Sequence, residues 1–276
     1  MLRLFKQQVI PGYYFTLGVT FFYLSLILLI PLAVFVLYNS GMGLNKFLAV
    51  VTSFRVIHAY YISLLTALIA ALINALFGLI LAWVLVRYDF KGKKIVDGLI
   101  DLPFALPTAV AGIALTTLYA ENGWLGQFLY AMGIQSVFSV TGIIIALIFV
   151  GIPFTARSVQ PILRDLDPQL EEAATMLGAG KWLTFRKVIM PELIAPLLTG
   201  FSLAFARGIG EYGSVVFIAG NLPYKTEIAP LLIMAKLEQF DYQAAAAIAI
   251  VMMAMSFFIL LVINGYQRYR ISRQGE

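Results

Sequence analysis

The chain has 276 residues, 61% of them hydrophobic and 12% charged, with a formal net charge of +5. A soluble domain carries about 25% charged residues, so this much apolar surface cannot be hidden in a water-soluble fold of this size, and a bilayer is its natural solvent. Cysteine is absent, which excludes disulfides, thiolate metal sites and iron–sulfur ligation.

Six apolar runs approach the roughly 20 residues needed to cross a bilayer. In chain order they cover Tyr13–Tyr38, Tyr60–Val86, Leu102–Ala120, Val140–Val159, Leu193–Ala219 and Ala244–Tyr266. Backbone in lipid must satisfy its own hydrogen bonds, so all six are expected to be helices. The fold class is therefore an all-α membrane protein with six transmembrane helices. Pro103 and Pro107 interrupt the third run, and Pro153 lies inside the fourth. The first run is too long for a cleavable signal peptide and is followed by no small-x-small site. The single histidine, His58, begins an apolar segment with no second histidine to help it, so it reads as an interfacial residue rather than a catalytic or metal site.

Orientation follows from the placement of Lys and Arg. With the N-terminus inside, fourteen of the 19 basic residues fall in cytoplasmic segments: Arg3, Lys6, Arg87, Lys91, Lys93, Lys94, Arg157, Arg164, Lys181, Arg186, Lys187, Arg268, Arg270 and Arg273. Four, Lys46, Arg55, Lys225 and Lys236, fall outside, and Arg207 lies within the fifth run. Both termini are then cytoplasmic, in the inner (plasma) membrane. The basic balance is this inside bias and does not point to nucleic acid.

The connection between runs four and five, residues 160–192, is long and carries both charge signs. A long ordered loop is more often functional than not. Asp167 is a good N-cap and Pro168 suits the first helical position. Glu171 and Glu172 lie near the positive end of the helix dipole, and Gly178 and Gly180 supply a stop. A second amphipathic piece, Trp182 to Ile189, is expected to run until Pro191 breaks it. Gly178-Ala-Gly-Lys181 is not a phosphate loop. Trp182 stands where Ser or Thr would hold magnesium, and Thr175 stands where the first Gly would be.

This loop resembles the EAA motif of ABC importer permeases: E-A-A, three residues, G, nine residues, I-x-L-P. Here it reads Glu172-Ala173-Ala174, Gly178, Val188, Met190 and Pro191, with Val for Ile and Met for Leu. The resemblance implies a coupling helix that lies in a groove of a soluble ATPase. Ala173 and Ala174 would permit close backbone approach, Gly178 the turn, and Glu172 a pairing with a basic group on the partner. Glu172, Ala173, Ala174, Gly178 and Pro191 are thus the expected ATPase-coupling residues. ATP and Mg would sit on that separate subunit, and no catalytic residue, metal or cofactor is expected in this chain.

Residues 101–112, 185–192, 210–214, 217–221, 225–227 and 239–242 are similar to the sulfate/thiosulfate permease family, T-type. Molybdate permeases share several of these stretches but tend to be shorter. The family implies a type I importer core, here residues 58–266, after an N-terminal segment and first span, residues 1–57, wrapped outside it, and before a tail, residues 267–276. It implies a W-type partner permease, two ATPase subunits and a periplasmic or lipid-anchored sulfate-binding protein. Substrate choice among sulfate, thiosulfate, molybdate and tungstate stays open, because these dianions share charge and oxygen shell.

Two intramembrane features are candidates for the pathway. Arg207 and Glu211 are four apart and would share a helix face; ionisable groups at that depth default to function, with a mutually neutralising structural pair, or snorkelling toward the inner end, as the alternative. Gly208, Gly210 and Gly213 would thin that helix, and Ser214 follows. Within Pro103 to Gly112, the two prolines Pro103 and Pro107 free backbone groups that must face a cavity or a neighbouring helix; Thr108 either lines the pathway or the stretch is a packing kink. A secondary anion transporter would need an ion-coupling site and usually an inverted repeat, and it has no use for the coupling motif.

Overall fold

The computed structural model describes residues 12–274. Arg3 and Lys6 lie outside the described residues, as do the side chains of Arg268, Arg270 and Arg273.

In chain order the helices are α1 (Tyr13–Leu24), α2 (Ile30–Ser40), α3 (Leu44–Val51), α4 (Phe54–Arg87), α5 (Lys93–Ile100), α6 (Leu102–Ala105), α7 (Thr108–Tyr119) and α8 (Gly126–Ala131). Then come α9 (Val140–Asp165), α10 (Pro168–Met176), α11 (Lys181–Thr184), α12 (Met190–Ile209), α13 (Val215–Ile218), α14 (Ala229–Glu238) and α15 (Tyr242–Gln274). Two π-helical turns, Ser25–Leu29 and Phe185–Ile189, join α1 to α2 and α11 to α12. Among the described residues, five helical stretches are long and apolar enough to cross a membrane: Tyr13–Leu37, Phe54–Arg87, Val140–Asp165, Lys181–Ile209 and Tyr242–Gly265.

The third expected span is the exception. Pro107 fixes Leu106 in an extended conformation, because the residue before a proline is pushed out of the α region. The run Leu102–Ala120 therefore splits into α6 and a 12-residue α7, which at 1.5 Å per residue reaches only about 18 Å. The fifth expected span also stops short, at Ile209, with Gly210 as its C-cap. Glu211 to Ser214 are loop, and only α13 follows.

The core is built by α4, α9 and α12 packing on one another. Small residues let them approach. A Cβ on Gly78 of α4 would stand 2.6 Å from Thr155 Cβ, and one on Gly200 of α12 would stand 2.5 Å from Thr155 Cα. Both helices therefore close on one level of α9, as small residues permit in membrane bundles. Asn74, 1% exposed, fills the next level, where a Cβ on Gly151 would meet its amide nitrogen at 2.2 Å. Its Nδ2 donates to the Leu147 carbonyl at 3.5 Å. Pro153 and Pro161 stay within α9 and Pro196 within α12 without ending either.

No residue of α1 is buried, and the first span reaches the bundle through α2, which packs on α15. Met42, Val51 and Ala247 pin α3 to α15 beside it. At the end opposite Arg87, α14 packs on α4 and α15. There the Ala229 amide donates to Ser63 Oγ at 2.8 Å, and Arg55 makes a two-point ion pair with the buried Glu227, both contacts at 2.7 Å.

Candidate coupling loop and buried-charge site

Two constellations stand out, one outside the long helices and one deep among them. The first is the loop after α9. Asp167 caps α10 as its sequence implies: its carboxylate accepts from the Gln169 amide at 2.9 Å, with Pro168 at the first helical position. The helix ends at Met176 with Leu177 as its C-cap, and Gly178 follows at φ +82°, a left-handed turn that disfavours other residues. The Gly178 amide returns to the Thr175 carbonyl at 2.9 Å and the Ala179 amide to the Ala174 carbonyl at 3.0 Å, a Schellman-like closure. Glu172 and Ala173 are exposed and Ala174 half-buried. Met176 and Leu177, each 89% exposed, stand out from the loop as bare apolar side chains.

Glu171 pairs with Arg87 at the end of α4, and the Arg87 guanidinium lies 5.3 Å from the centre of the Trp83 ring. The loop is thereby tied to the bundle at one charged point. Nothing in the sequence joins residues 84 positions apart, so this contact was not legible there.

Pro191 does not break the chain that follows. From Lys181 to Ile209 the helix is continuous. The turn Phe185–Ile189 is π-helical, and the Met190 amide donates back to the Phe185 carbonyl. A proline lacks the donor and its ring crowds the carbonyl four residues earlier; widening the preceding turn by one residue removes that conflict.

The second constellation gathers the intramembrane candidates. Glu211 is 1% exposed. One carboxylate oxygen accepts from the Ser214 amide and hydroxyl, each at 2.9 Å. The other pairs with Arg207 in the last turn of α12. The two were expected on one helix face, but Glu211 lies past the helix end. The loop folds back, so the pair forms although the helical register does not continue.

The same loop meets α7. A Cβ on Gly213 would stand 2.1 Å from Thr108 Oγ1, and one on Gly112 would stand 2.6 Å from the Ser214 carbonyl oxygen. Thr108, Glu211 and Ser214 are thus brought into one place, with Arg207 attached and Pro107 at the break beside them. Of the three glycines expected to thin α12, Gly208 does so against Ala67, at 3.5 Å for a Cβ, whereas Gly213 serves the contact with α7. Ala67 lies 13 residues into α4 and 20 before its end. At 1.5 Å per residue the site is about 20 Å from one end of that helix and about 30 Å from the other. The Arg207 side chain is 37% exposed, and among the described residues Glu211 is its one ion-pair partner. A guanidinium has five donors, so it presents unused ones to an accessible surface.

A third polar cluster went unforeseen. Arg157 of α9 binds Asp97 Oδ1 at 2.6 Å, Asp101 Oδ2 at 2.6 Å and Gln160 Oε1 at 2.6 Å. It fastens α5 and the start of α6 to the core. The signal was present: Asp97 and Asp101 are four apart and offer two carboxylates to one cation. Burial raises the Asp97 pKa, but the hydrogen bonds from Arg157 and Gln160 outweigh it and hold the group below its ordinary value. His58 sits among the rings of Phe54, Tyr61 and Tyr224, with centroids 6.3–6.5 Å away. Among the described residues no group of three His, Cys, Asp or Glu could hold a metal ion.

Comparison with known proteins decides the family. Residues 74–274 match the family described as binding-protein-dependent transport system inner membrane component. The chain belongs to that family. This permease is 46% identical over 267 residues to the sulfate transport system permease protein CysT of Salmonella typhimurium, covering 97% of this chain and 96% of that one. It is 48% identical over 251 residues to the protein of the same name from Synechocystis, covering 91% and 88%. The permease fold is also that of a bacterial alginate ABC transporter crystallised with an alginate pentasaccharide-bound periplasmic protein, with a TM-score of 0.76 at 18% identity over 93% of this chain and 94% of that one. At that identity the likeness speaks for the fold alone. The permease is a multi-pass membrane protein of the transport class, and its relatives are transport subunits rather than enzymes.

Proposed function

We propose that this permease is the membrane-spanning subunit of an ATP-driven importer that carries sulfate, and thiosulfate with it, across the cytoplasmic membrane. The single observation that carries the substrate is the likeness to sulfate permeases along nearly the whole chain. Both termini and the 160–192 loop face the cytoplasm in this reading, and ATP and Mg are bound by two separate ATPase subunits. The chain works beside a W-type permease and receives its anion from a periplasmic or lipid-anchored binding protein.

The loop supports the coupling assignment. A capped helix with a left-handed glycine turn and two bare apolar residues at its end suits insertion into a groove of a soluble partner. Glu172, Ala173, Ala174 and Gly178 are the contact surface, and Pro191 lies where the loop re-enters the bundle. Arg207 supports the pathway assignment: it is a guanidinium deep among the helices with unused donors, held by Glu211, which keeps it in place and tempers its hold on a dianion. Ser214, Thr108 and Pro107 form the wall around it.

The test is uptake of labelled sulfate by membranes carrying this chain with a W-type permease, an ATPase and a sulfate-binding protein from the same source. Sulfate uptake that is ATP-dependent and inhibited by thiosulfate is expected. Uptake that ignores sulfate but is inhibited by molybdate would overturn the substrate. Because the chain has no cysteine, single cysteines at Lys181 and Lys225 report orientation cleanly. An impermeant thiol reagent applied outside should label the Lys225 position only.

A further inference from the structure

A cleft beside the coupling loop takes no part in the reading above. Leu79, Ile80 and Trp83 of α4 line one wall, Trp182 and Phe185 the other, and it holds about 290 Å³. The rings are arranged as one surface. Trp182 stacks on Phe185 at 5.6 Å, and Phe185 meets Trp83 edge-on at 5.2 Å. Trp182 is nevertheless 72% exposed. The cleft follows α4 away from its basic end: Leu79 lies eight residues before Arg87, about 12 Å along the helix.

Cations flank its second wall. Lys181 adjoins Trp182 and Arg186 adjoins Phe185 in the chain; with Lys187 they are exposed and make no ion pair among the described residues. Arg87 is already committed to Glu171. Tryptophan bodies at the interface and unpaired cations beyond them are how membrane proteins meet an anionic leaflet. A soluble ATPase could cover Trp182, the second residue of its helical stretch, but could not reach Leu79, about 12 Å in from the basic end of a helix long and apolar enough to cross a membrane. A lipid chain can.

We propose that this cleft binds an anionic phospholipid of the inner leaflet, with an acyl chain against Leu79, Ile80 and Trp83 and the phosphate held by Lys181 and Arg186. The inner leaflet follows from the orientation proposed above, whereas the site itself does not depend on it. Lys181 is three residues from the Gly178 turn, so a lipid seated there braces the segment through which the coupling helix joins α12.

The assembled importer in phosphatidylcholine nanodiscs tests this. Brominated phosphatidylglycerol or brominated phosphatidylcholine is included at matched fractions, and Trp182 emission is read as the difference between the wild type and Trp182→Phe. Phosphatidylglycerol should quench at several-fold lower fraction than phosphatidylcholine. Arg186→Gln should raise the fraction needed by about fivefold, the worth of one cation at an anionic surface. Lys181→Gln with Arg186→Gln should erase the preference while leaving quenching by phosphatidylcholine unchanged. Equal quenching by the two lipids in the wild type overturns the site, leaving only ordinary surrounding lipid. Absence of quenching by either also overturns it, and release of the ATPase by Trp182→Ala would then assign the face to that subunit. Both leaflets of the nanodisc carry the probe, so a wrong orientation cannot mimic failure of the site.

Discussion

Replacing Arg207 by Met removes the charge partner of a carboxylate that is 1% exposed. Breaking one side of a buried ion pair costs about 3–5 kcal/mol. The lower end applies, because Arg207 itself is 37% exposed and Glu211 keeps two donors from Ser214. About 3 kcal/mol is roughly a 150-fold fall in the folded-to-unfolded ratio. Glu211→Gln is milder, at about 1.5 kcal/mol, because the amide oxygen still accepts from Ser214 and Arg207 can turn to its exposed side. The double variant Arg207→Met with Glu211→Gln should regain the assembly lost by Arg207→Met, since no charge is left stranded. Leucine at position 211 would be a poorer choice, because it orphans the Ser214 amide. Co-purification with the ATPase reads assembly, and labelled sulfate uptake in the same membranes reads transport. The expected result is an assembled double variant that does not transport. Full uptake would remove Arg207 from the pathway, and a single Arg207→Met variant as stable as the wild type would refute the energetic argument.

Gly178→Asn should couple nearly normally because Asn tolerates the left-handed region, whereas Gly178→Val should cost about 1–2 kcal/mol in the turn and uncouple uptake from ATP hydrolysis. Gly178→Asp keeps the turn, inserts as well as the wild type and should abolish uptake by placing a charge in the ATPase groove; normal transport by it would sink the docking assignment. Gly200→Ala pushes a methyl to 2.5 Å from the Thr155 backbone and should lower stability by about 1–3 kcal/mol, read as a reduced melting temperature of the purified importer. Asp97 has a depressed folded pKa, so its contribution is present above its ordinary value and is lost as pH falls through the folded one. Asp97→Asn should therefore destabilise at neutral pH and converge with the wild type in acid.

Hydropathy located the long helices because each buries few charges over a length set by the bilayer. Their ends were less legible. Phe54 to Ala59 extend α4 beyond the apolar run with Arg55 and His58 aboard, since Glu227 supplies the partner that lets Arg55 sit there. Windows of average hydrophobicity ran straight through Gly210 and through Leu106, where backbone conformation rather than polarity ends the helix. The cap and turn of the loop after α9 were the most legible part, because caps and turns act within four residues of the chain. The meeting of Thr108 with Gly213, and of Arg157 with Asp97, depends on how distant helices pack, and one sequence does not state that.

The two π turns share a grammar. Each ends two residues before a proline, Leu29 before Pro31 and Ile189 before Pro191. A π turn is an α-helix holding one surplus residue, and one residue is worth about 100° of rotation. The Phe185–Ile189 turn therefore sets the angular phase between the loop at one end of the long helix and Arg207 at the other. Excising a single residue there would leave both ends folded yet swing one around the axis relative to the other. In that sense the surplus residue is a fixed gear offset, and proline keeps it from being wound out.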